Sequence, residues 1–349
     1  MALFFSETDV ADLLPMEDAI DAVEEGFRHL ARGGASMVAR LAADPPPFPG
    51  HYFLKWLMPG TLDALGVMGM KLILGAAPGT GARREARFQV LLFESQNGSL
   101  LAYMDGTELT KIRTGAVTAV GTKYLARPDA QTLGIFGSAQ YAPMQAVGVC
   151  AVRPIKKIKV YSPTPEHRRR FAQELERLLR REVVAVDSSD QAVKGSDIVV
   201  TVTNAREPVF RGELLEEGAH VSAAGSSLPD HREVDDQTVL RSKIVVEHRE
   251  QALKESGDLA IPIARGVITP DAIHAELKDV VGGGRPGRVS DSEITLLKFN
   301  GVAIEDIACA LAIYRRATRE GKGQEFGTRP SQPRRARRAG PPRPVKPRG

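Results

Sequence analysis

Cysteine is scarce in this sequence: Cys150 and Cys309 are the only two in 349 residues. Both sit in apolar, helix-like stretches, so the expectation is two buried free thiols in a cytoplasmic protein rather than a disulfide framework. No apolar run approaches the roughly 18–20 residues that span a bilayer, so no membrane partner is expected. The opening MALFFSETDVADLLPMEDAI lacks a basic leader and a small-residue cleavage site, and Glu7 already brings acid, which argues against a signal peptide. His51, His220, His231 and His248 show no metal-ligand spacing, so no metal is expected. A G-x-S-x-G nucleophile turn and internal repeats are also lacking.

The net charge of +4 is uneven. Nine Lys/Arg and one Glu fall between Lys322 and Gly349, which leaves the rest of the chain net acidic. The final segment, GTRPSQPRRARRAGPPRPVKPRG, has almost no apolar residues with which to offset chain entropy and reads as a disordered tail. It carries no interleaved aromatics and no folded nucleic-acid motif, so no nucleic-acid partner is expected.

What is present is alternation. TLGIF, IKVYS, EVVAV, DIVVTVT, AHVSAAG and KIVVE are short apolar runs separated by helical patterns, among them Ala142–Val152 and EHRRRFAQELERLLR. Such a series predicts an α/β fold, a doubly wound parallel sheet of Rossmann type. The first 125 residues differ. A helix over Met16–Gly34 precedes HYFLKWLM, GVMGMKLIL, ARFQVLLFE and SLLAYMD, with a hairpin turn at Gln96–Gly98, which predicts an α+β unit with a mostly antiparallel sheet. The expected division is therefore residues 1–125 plus 300–323 as a discontinuous first domain, to which the family resemblance given below assigns substrate binding and dimerisation, 126–299 as the dinucleotide-binding domain, and 324–349 as the tail. The late helix within ITLLKFNGVAIEDIACALAIYRRATREG is expected to leave the second unit and pack on the first.

The turn after TLGIF reads Gly137-Ser138-Ala139-Gln140-Tyr141-Ala142. A dinucleotide needs a tight strand-to-helix turn, close backbone approach to the pyrophosphate and free helix N-terminal amides. Gly137 and Ala142 fit the outer small positions. Ala139 replaces the middle glycine, where its methyl narrows the approach. These residues, with Gln140 and Ser138, are candidate phosphate contacts. The next strand ends in Ser162-Pro163-Thr164 with no acid for a ribose 2′-hydroxyl. Ser162, Thr164 and Arg168 could instead meet a 2′-phosphate, which favours NADP(H) over NAD(H), unless the arginines are the solvated face of a helix. Thr203 and Asn204 end the fourth strand, where ribose or nicotinamide often lies. Glu233 and Asp235 read as helix-capping acids, and Asp306 as structural.

GVMGMKLI, LAYMDGTELTKIRTGAVTAVGTKYLARPDAQTLGIFGSAQ, SDIVVTVTN, AAGSSLPDHREVDD, EQALKESGDL and FNGVAIEDIACALAIY together resemble the ornithine cyclodeaminase/mu-crystallin family, over about Ser6 to Gly323. The resemblance implies a homodimer built through the first domain, an active site between the domains, and a small amino or imino acid as substrate. It implies that Arg40, Lys71 and Arg113 surround the substrate carboxylate and nitrogen, with Thr114 and Ser227 beside them at the cofactor and substrate. The chemistry agrees: guanidinium matches carboxylate in planar geometry, and a lysine buried beside arginines loses basicity and suits proton transfer.

Family members that cyclise ornithine carry an aspartate in a G-A-D-x-P-G string to receive the distal amine. Here the string is Gly225-Ser226-Ser227-Leu228-Pro229-Asp230, so a hydroxyl stands in place of the acid, and whether Asp230 substitutes for it stays open. This form resembles the ketimine-reductase and mu-crystallin branch. The expected activity is NAD(P)H-dependent reduction of a cyclic imino acid, such as Δ1-pyrroline-2-carboxylate or Δ1-piperideine-2-carboxylate, or amino-acid dehydrogenation. The alternatives are ornithine cyclodeamination with bound NAD and a regulated ligand-binding role.

Overall fold

Along Val67–Ala76 every second side chain is buried, the signature of a strand with one covered face. Such strands build the first of two sheets in the computed structural model, which describes residues 1–42, 51–76 and 86–327. Its order is Gln324–Phe326, Ala2–Phe5, Leu100–Asp105, Arg87–Glu94, Val67–Ala76, Tyr52–Leu62 and Ser36–Met37, with Leu41–Ala42 also paired to Tyr52–Leu62. Ala2–Phe5 runs parallel to Leu100–Asp105, and the other pairings are antiparallel.

One face of this sheet is covered by helices. Met16–Ala31 turns Met16, Ala19, Ile20, Val23 and Phe27 inward at helical spacing. Ala303–Glu320 lies across Tyr52–Leu62 and Val67–Ala76. Gly106–Leu125 packs against both and is capped by Asp105, whose carboxylate accepts from the Thr107 amide at 2.9 Å. Most of that helix is buried because it also packs against the second sheet.

The second sheet is parallel throughout, in the order Glu182–Ala185, Lys157–Tyr161, Thr132–Phe136, Ile198–Thr201, His220–Ala223, Ile294–Lys298, Ser242–Val246, Ile273–Glu276. Its central strands are buried on both sides, as a sheet sandwiched between helices requires. The strand order reverses beside Thr132–Phe136, which is where doubly wound sheets open a binding crevice. The α/β reading with a Rossmann sheet is what the chain forms. The edge strand Ile273–Glu276 adds to the strands legible in the sequence. Among the described residues, no helix is long and apolar enough to cross a membrane.

One boundary needs correction. The tail was expected to begin at residue 324, yet Gln324–Phe326 is a strand whose residues pair with Ala2, Leu3 and Phe4. The rest of the tail and the proline-rich stretch after Ala42 lie outside the described residues. The segment after Gly327 has almost no apolar residues to bury, so truncation there is expected to leave the melting temperature unchanged. Truncation after Gly323 removes the edge pairing and is expected to cost roughly 1–2 kcal/mol, the scale of one or two net backbone hydrogen bonds. Chemical denaturation of both truncations checks this.

Candidate active site

The crevice at the reversal point is a cavity of about 600 Å³ walled by both halves of the chain. On the second-sheet side, Gly137 starts the turn at φ +112°, and a Cβ there would come within 2.7 Å of the Val202 carbonyl oxygen. Only glycine fits. The turn leads into helix Ala142–Val152, whose N-terminus has no side-chain cap. The Ala142 amide donates to the Ala139 carbonyl at 3.0 Å and Pro143 has no amide N–H, so an anion here would meet the amides of the preceding turn and the helix dipole rather than the first helical N–H groups. Ser138, Ala139, Gln140 and Tyr141 line the cavity there. Ala139 has no positive φ, so alanine sits in the middle position without backbone strain.

Ser162, Pro163, Thr164 and His167 continue the wall, and Ser138 Oγ donates to Ser162 Oγ at 3.1 Å. Arg168 does not join them, which corrects the expectation for it. Its guanidinium is buried, donating to the Ser162 and Pro163 carbonyls at 3.2 and 3.5 Å and to Asp187 Oδ1 at 2.7 Å. Arg168 shapes the loop from beneath. Thr203 and Asn204 also line the cavity. Asp235 caps its helix by accepting from Thr238 N at 2.8 Å. Glu233 caps nothing. One of its oxygens accepts from the amide and hydroxyl of Thr203 at 2.6 and 2.8 Å, the other from Gly225 N at 2.7 Å, tying the strand end to the following loop.

The opposite wall carries Arg40, Trp56, Ile73, Phe88, Thr110, Arg113 and Thr114. Lys71 occurs in phase with the inward residues of its strand and is fully buried. Its Nζ donates to Asp306 Oδ1 at 2.8 Å. The same oxygen accepts from Arg113 Nε at 3.2 Å, while Arg113 Nη1 donates to Glu305 Oε2 at 2.9 Å. Burial first, and then the Arg113 charge, push the Lys71 ammonium down to about 8, against the pull of Asp306. Burial also opposes the charge on Arg113, but Asp306 and Glu305 outweigh it and hold the guanidinium above its usual value. Burial and the neighbouring Glu247 push Glu305 well above the carboxylate range.

Glu247 in turn accepts from the amides of Asn300 and Gly301 at 3.1 and 2.7 Å. Gly301, at φ +87°, leaves the space a Cβ would take, 2.8 Å from Arg113 Nη1. Lys71 itself is not part of the cavity wall. Its ammonium lies 5.2 Å from the ring centre of Phe88, and both Phe88 and Arg113 belong to that wall.

Arg40 is nearly buried, with its guanidinium carbon 3.9 Å from the ring centre of Trp56. It crosses the cleft. Nε pairs with Glu255 Oε2 at 2.6 Å, and Nη2 donates to the Ser227 carbonyl at 2.9 Å. Ser227 lines the cavity. Asp230 does not: it is exposed, 2.8 Å from His231 Nδ1 and 3.8 Å from Arg206 Nη1. The described lining residues include two arginines and a histidine but no carboxylate. No grouping of three metal-ligating side chains occurs among the described residues.

The cavity thus brings together Arg40, Arg113, Thr114 and Ser227 with the whole cofactor set except Arg168, and keeps Lys71 one side chain away. Trp56, Phe88, Tyr141, His167, Glu247, Glu255 and Glu305 went unread in the sequence. Glu305 adjoins Asp306 in IEDIA, and a pair of acids in an otherwise apolar helix was the one local signal of buried cations nearby.

A doubly wound sheet with a glycine turn at its reversal point, facing an arginine-lined cavity, defines a dinucleotide-binding α/β protein. The ornithine cyclodeaminase/mu-crystallin family matches over residues 2–321, and the chain belongs to that family. The Δ1-pyrroline-2-carboxylate reductase of Bacillus cereus (strain ATCC 14579) is 38% identical over 282 residues, 80% of this chain and 86% of that one. The structure of Thermococcus litoralis Δ1-pyrroline-2-carboxylate reductase in complex with NADH and L-proline superposes with a TM-score of 0.87 at 37% identity, covering 93% and 100% of the two chains. An archaeal alanine dehydrogenase dimer with bound NAD gives 0.85 at 30% identity, covering 93% and 99%.

Asp306→Leu is expected to destabilise the fold by about 3–5 kcal/mol, because it takes from the buried Lys71 its ion-pair partner and leaves Arg113 with Glu305 alone. Urea denaturation measures it, and a loss below about 1 kcal/mol would show that the two cations find water or another partner.

Proposed function

We propose that this chain is an NAD(P)H-dependent reductase of cyclic imino acids, with Δ1-pyrroline-2-carboxylate and Δ1-piperideine-2-carboxylate as the substrate class. The carrying observation is the cavity wall: two guanidiniums, an apolar flank of Trp56, Ile73 and Phe88, and no carboxylate among the described lining residues. Arg40 and Arg113 suit a planar carboxylate. The apolar flank suits a hydrocarbon ring. A diamino acid would leave its distal ammonium unpaired there, with Asp230 engaged by His231 and Arg206 outside the wall, and this counts against ornithine cyclodeamination. The names of the similar proteins point to the same chemistry, and the alanine dehydrogenase among them keeps an open-chain amino acid within the class.

The residues present fit a dinucleotide. Gly137 leaves room for the pyrophosphate, the turn Ser138–Tyr141 lies along the cavity at the positive end of the helix that follows, and Thr203 and Asn204, at the end of the neighbouring strand, would meet the ribose or nicotinamide. When bound, the reduced cofactor supplies the hydride for Cα of the substrate. The chain supplies the rest. Arg40 and Arg113 fix the carboxylate and so the orientation of Cα, an effect that contributes several kcal/mol. Lys71 holds the proton for the substrate nitrogen, and its flexible stem lets the ammonium leave Asp306 for the cavity past Phe88. Net reduction of C=N consumes one hydride and this one proton.

We further read NADP(H) as preferred, because the strand Lys157–Tyr161 is followed by Ser162, Pro163 and Thr164, with His167 near, and no acid. We also infer a cytoplasmic homodimer. The outer side of the first sheet carries a second cavity of about 540 Å³ lined by Met37, Val38, Met68, Met70 and Phe93, an apolar face suited to a second copy.

Absorbance at 340 nm tests the reading. Steady loss of NADPH with either cyclic imine is expected, with slower loss of NADH. Ammonia release from ornithine without net redox change would overturn it. The rate is expected to fall as pH rises through about 8, because Lys71 then loses the proton it donates. Lys71→Met is expected to remove that alkaline limb and slow turnover by roughly 10²-fold or more, the usual contribution of general acid catalysis.

A further inference from the structure

Arg40 reaches the cavity from the first sheet's side, but what holds it lies on the other side of the cleft. Glu255 ends the helix Arg249–Glu255, and its Oε2 stands 2.6 Å from Arg40 Nε. The Ser227 carbonyl takes Nη2 at 2.9 Å. Trp56 covers the face of the guanidinium at 3.9 Å. Among the described residues, Nη1 is left with no hydrogen bond. Arg113 is arranged alike: Nε and Nη1 are committed to Asp306 and Glu305, and among the described residues Nη2 has no hydrogen bond. Each guanidinium therefore has an acid at its Nε side, and both line the cavity. The two cations lie within electrostatic reach of one another, so a carboxylate received between them relieves their repulsion.

We propose that Glu255 is a positioning residue that, through Arg40, sets the second jaw of a two-arginine clamp for the substrate carboxylate and makes the clamp complete only when the two halves of the chain meet. The inference rests on the reading above that the cavity takes a carboxylate substrate. A bound substrate does not compete with Glu255, because the two use different nitrogens of Arg40. Loss of Glu255 frees Arg40 to swing about Trp56, so the clamp loses orientation rather than charge.

The chain carries a built-in reporter, since Trp56 is its only tryptophan and lies under the Arg40 guanidinium. Fluorescence of Trp56 in the full chain, titrated with pyrrole-2-carboxylate as a flat analogue that cannot be reduced by the cofactor, reads the clamp without turnover. The wild type is expected to give a saturable change that pyrrole-2-carboxamide does not produce. Glu255→Gln is expected to weaken the Kd about tenfold, which is ~1.4 kcal/mol, and Glu255→Asp by less. In an Arg40→Ala background, Glu255→Gln is expected to add nothing, a non-additivity that a merely structural role would not produce.

In turnover, the KM for the imine rises in Glu255→Gln while the KM for NADPH stays put. Binding within twofold of wild type in both Glu255 variants overturns the proposal, as do additive effects with Arg40→Ala or the absence of any carboxylate-dependent signal in the wild type. Saturable binding without imine-dependent NADPH loss would sink the reductase reading and leave the clamp standing. Turnover with unchanged binding in Glu255→Gln would do the reverse.

Discussion

The structure turns on one carboxylate. Asp306 Oδ1 accepts from Lys71 at 2.8 Å and from Arg113 at 3.2 Å in a place with no water access to any of the three carboxylate and ammonium groups' cores: Lys71, Glu305 and Asp306 are all fully buried. Burying charge costs several kcal/mol per ion unless partners are in place with good geometry. Here the partners come from three distant stretches, the strand Val67–Ala76, the helix Gly106–Leu125 and the helix Ala303–Glu320. Each must be in register for any of the charges to be tolerated, so the cluster works as a test of correct assembly. It also explains why the last helix returns to the first sheet: its apolar face covers the strands, and its two acids meet the two cations.

The same cluster shapes the chemistry of the cavity. Glu305 and Asp306 occupy two of the donor positions of Arg113, and Gly301 is the residue that allows the loop Phe299–Gly301 to lie against that guanidinium. The acids stay behind the arginine, and the wall shows only its positive edge. Since no carboxylate among the described residues lines the cavity, the local field favours anions throughout. One end is the glycine turn at Gly137, and the other carries the two guanidiniums of Arg40 and Arg113. The low proton affinity of Lys71 follows from the same burial, with Arg113 adding to it.

Much of this was legible. Parallel-sheet strands announce themselves as short apolar runs, and the turn at Gly137 follows from the need for a residue without a side chain beside Val202. Lys71 stood out through the family resemblance, and the alternating burial of its strand shows why it is enclosed. Arg168 was misread for a reason that the sequence itself contains. It stands four residues before Ala172, three before Phe171 and seven before Leu175, so it belongs to the buried stripe of its helix and not to the solvated face or the cofactor. Trp56 and Glu255 had no such signal. Their roles come from packing across the cleft, where residues about 200 positions apart in the chain meet through Arg40, and no local period encodes that.

Ala139 shows how the two kinds of constraint differ. A glycine turn demands positive φ only where the backbone reverses, and that burden falls on Gly137 alone. At Ala139 the dihedral is ordinary, so the methyl group costs only the space it fills. The second-sheet half can therefore vary within a simple steric rule and still receive a dinucleotide. The substrate side has no comparable freedom. Arg40, Arg113 and Lys71 are each fixed by partners that are themselves buried or half-buried, and a change in any one partner redirects a charge instead of trimming a contact. The glycine-turn side of the cavity is thus set by backbone geometry, and the Arg40–Arg113 side by a side-chain network whose members support one another.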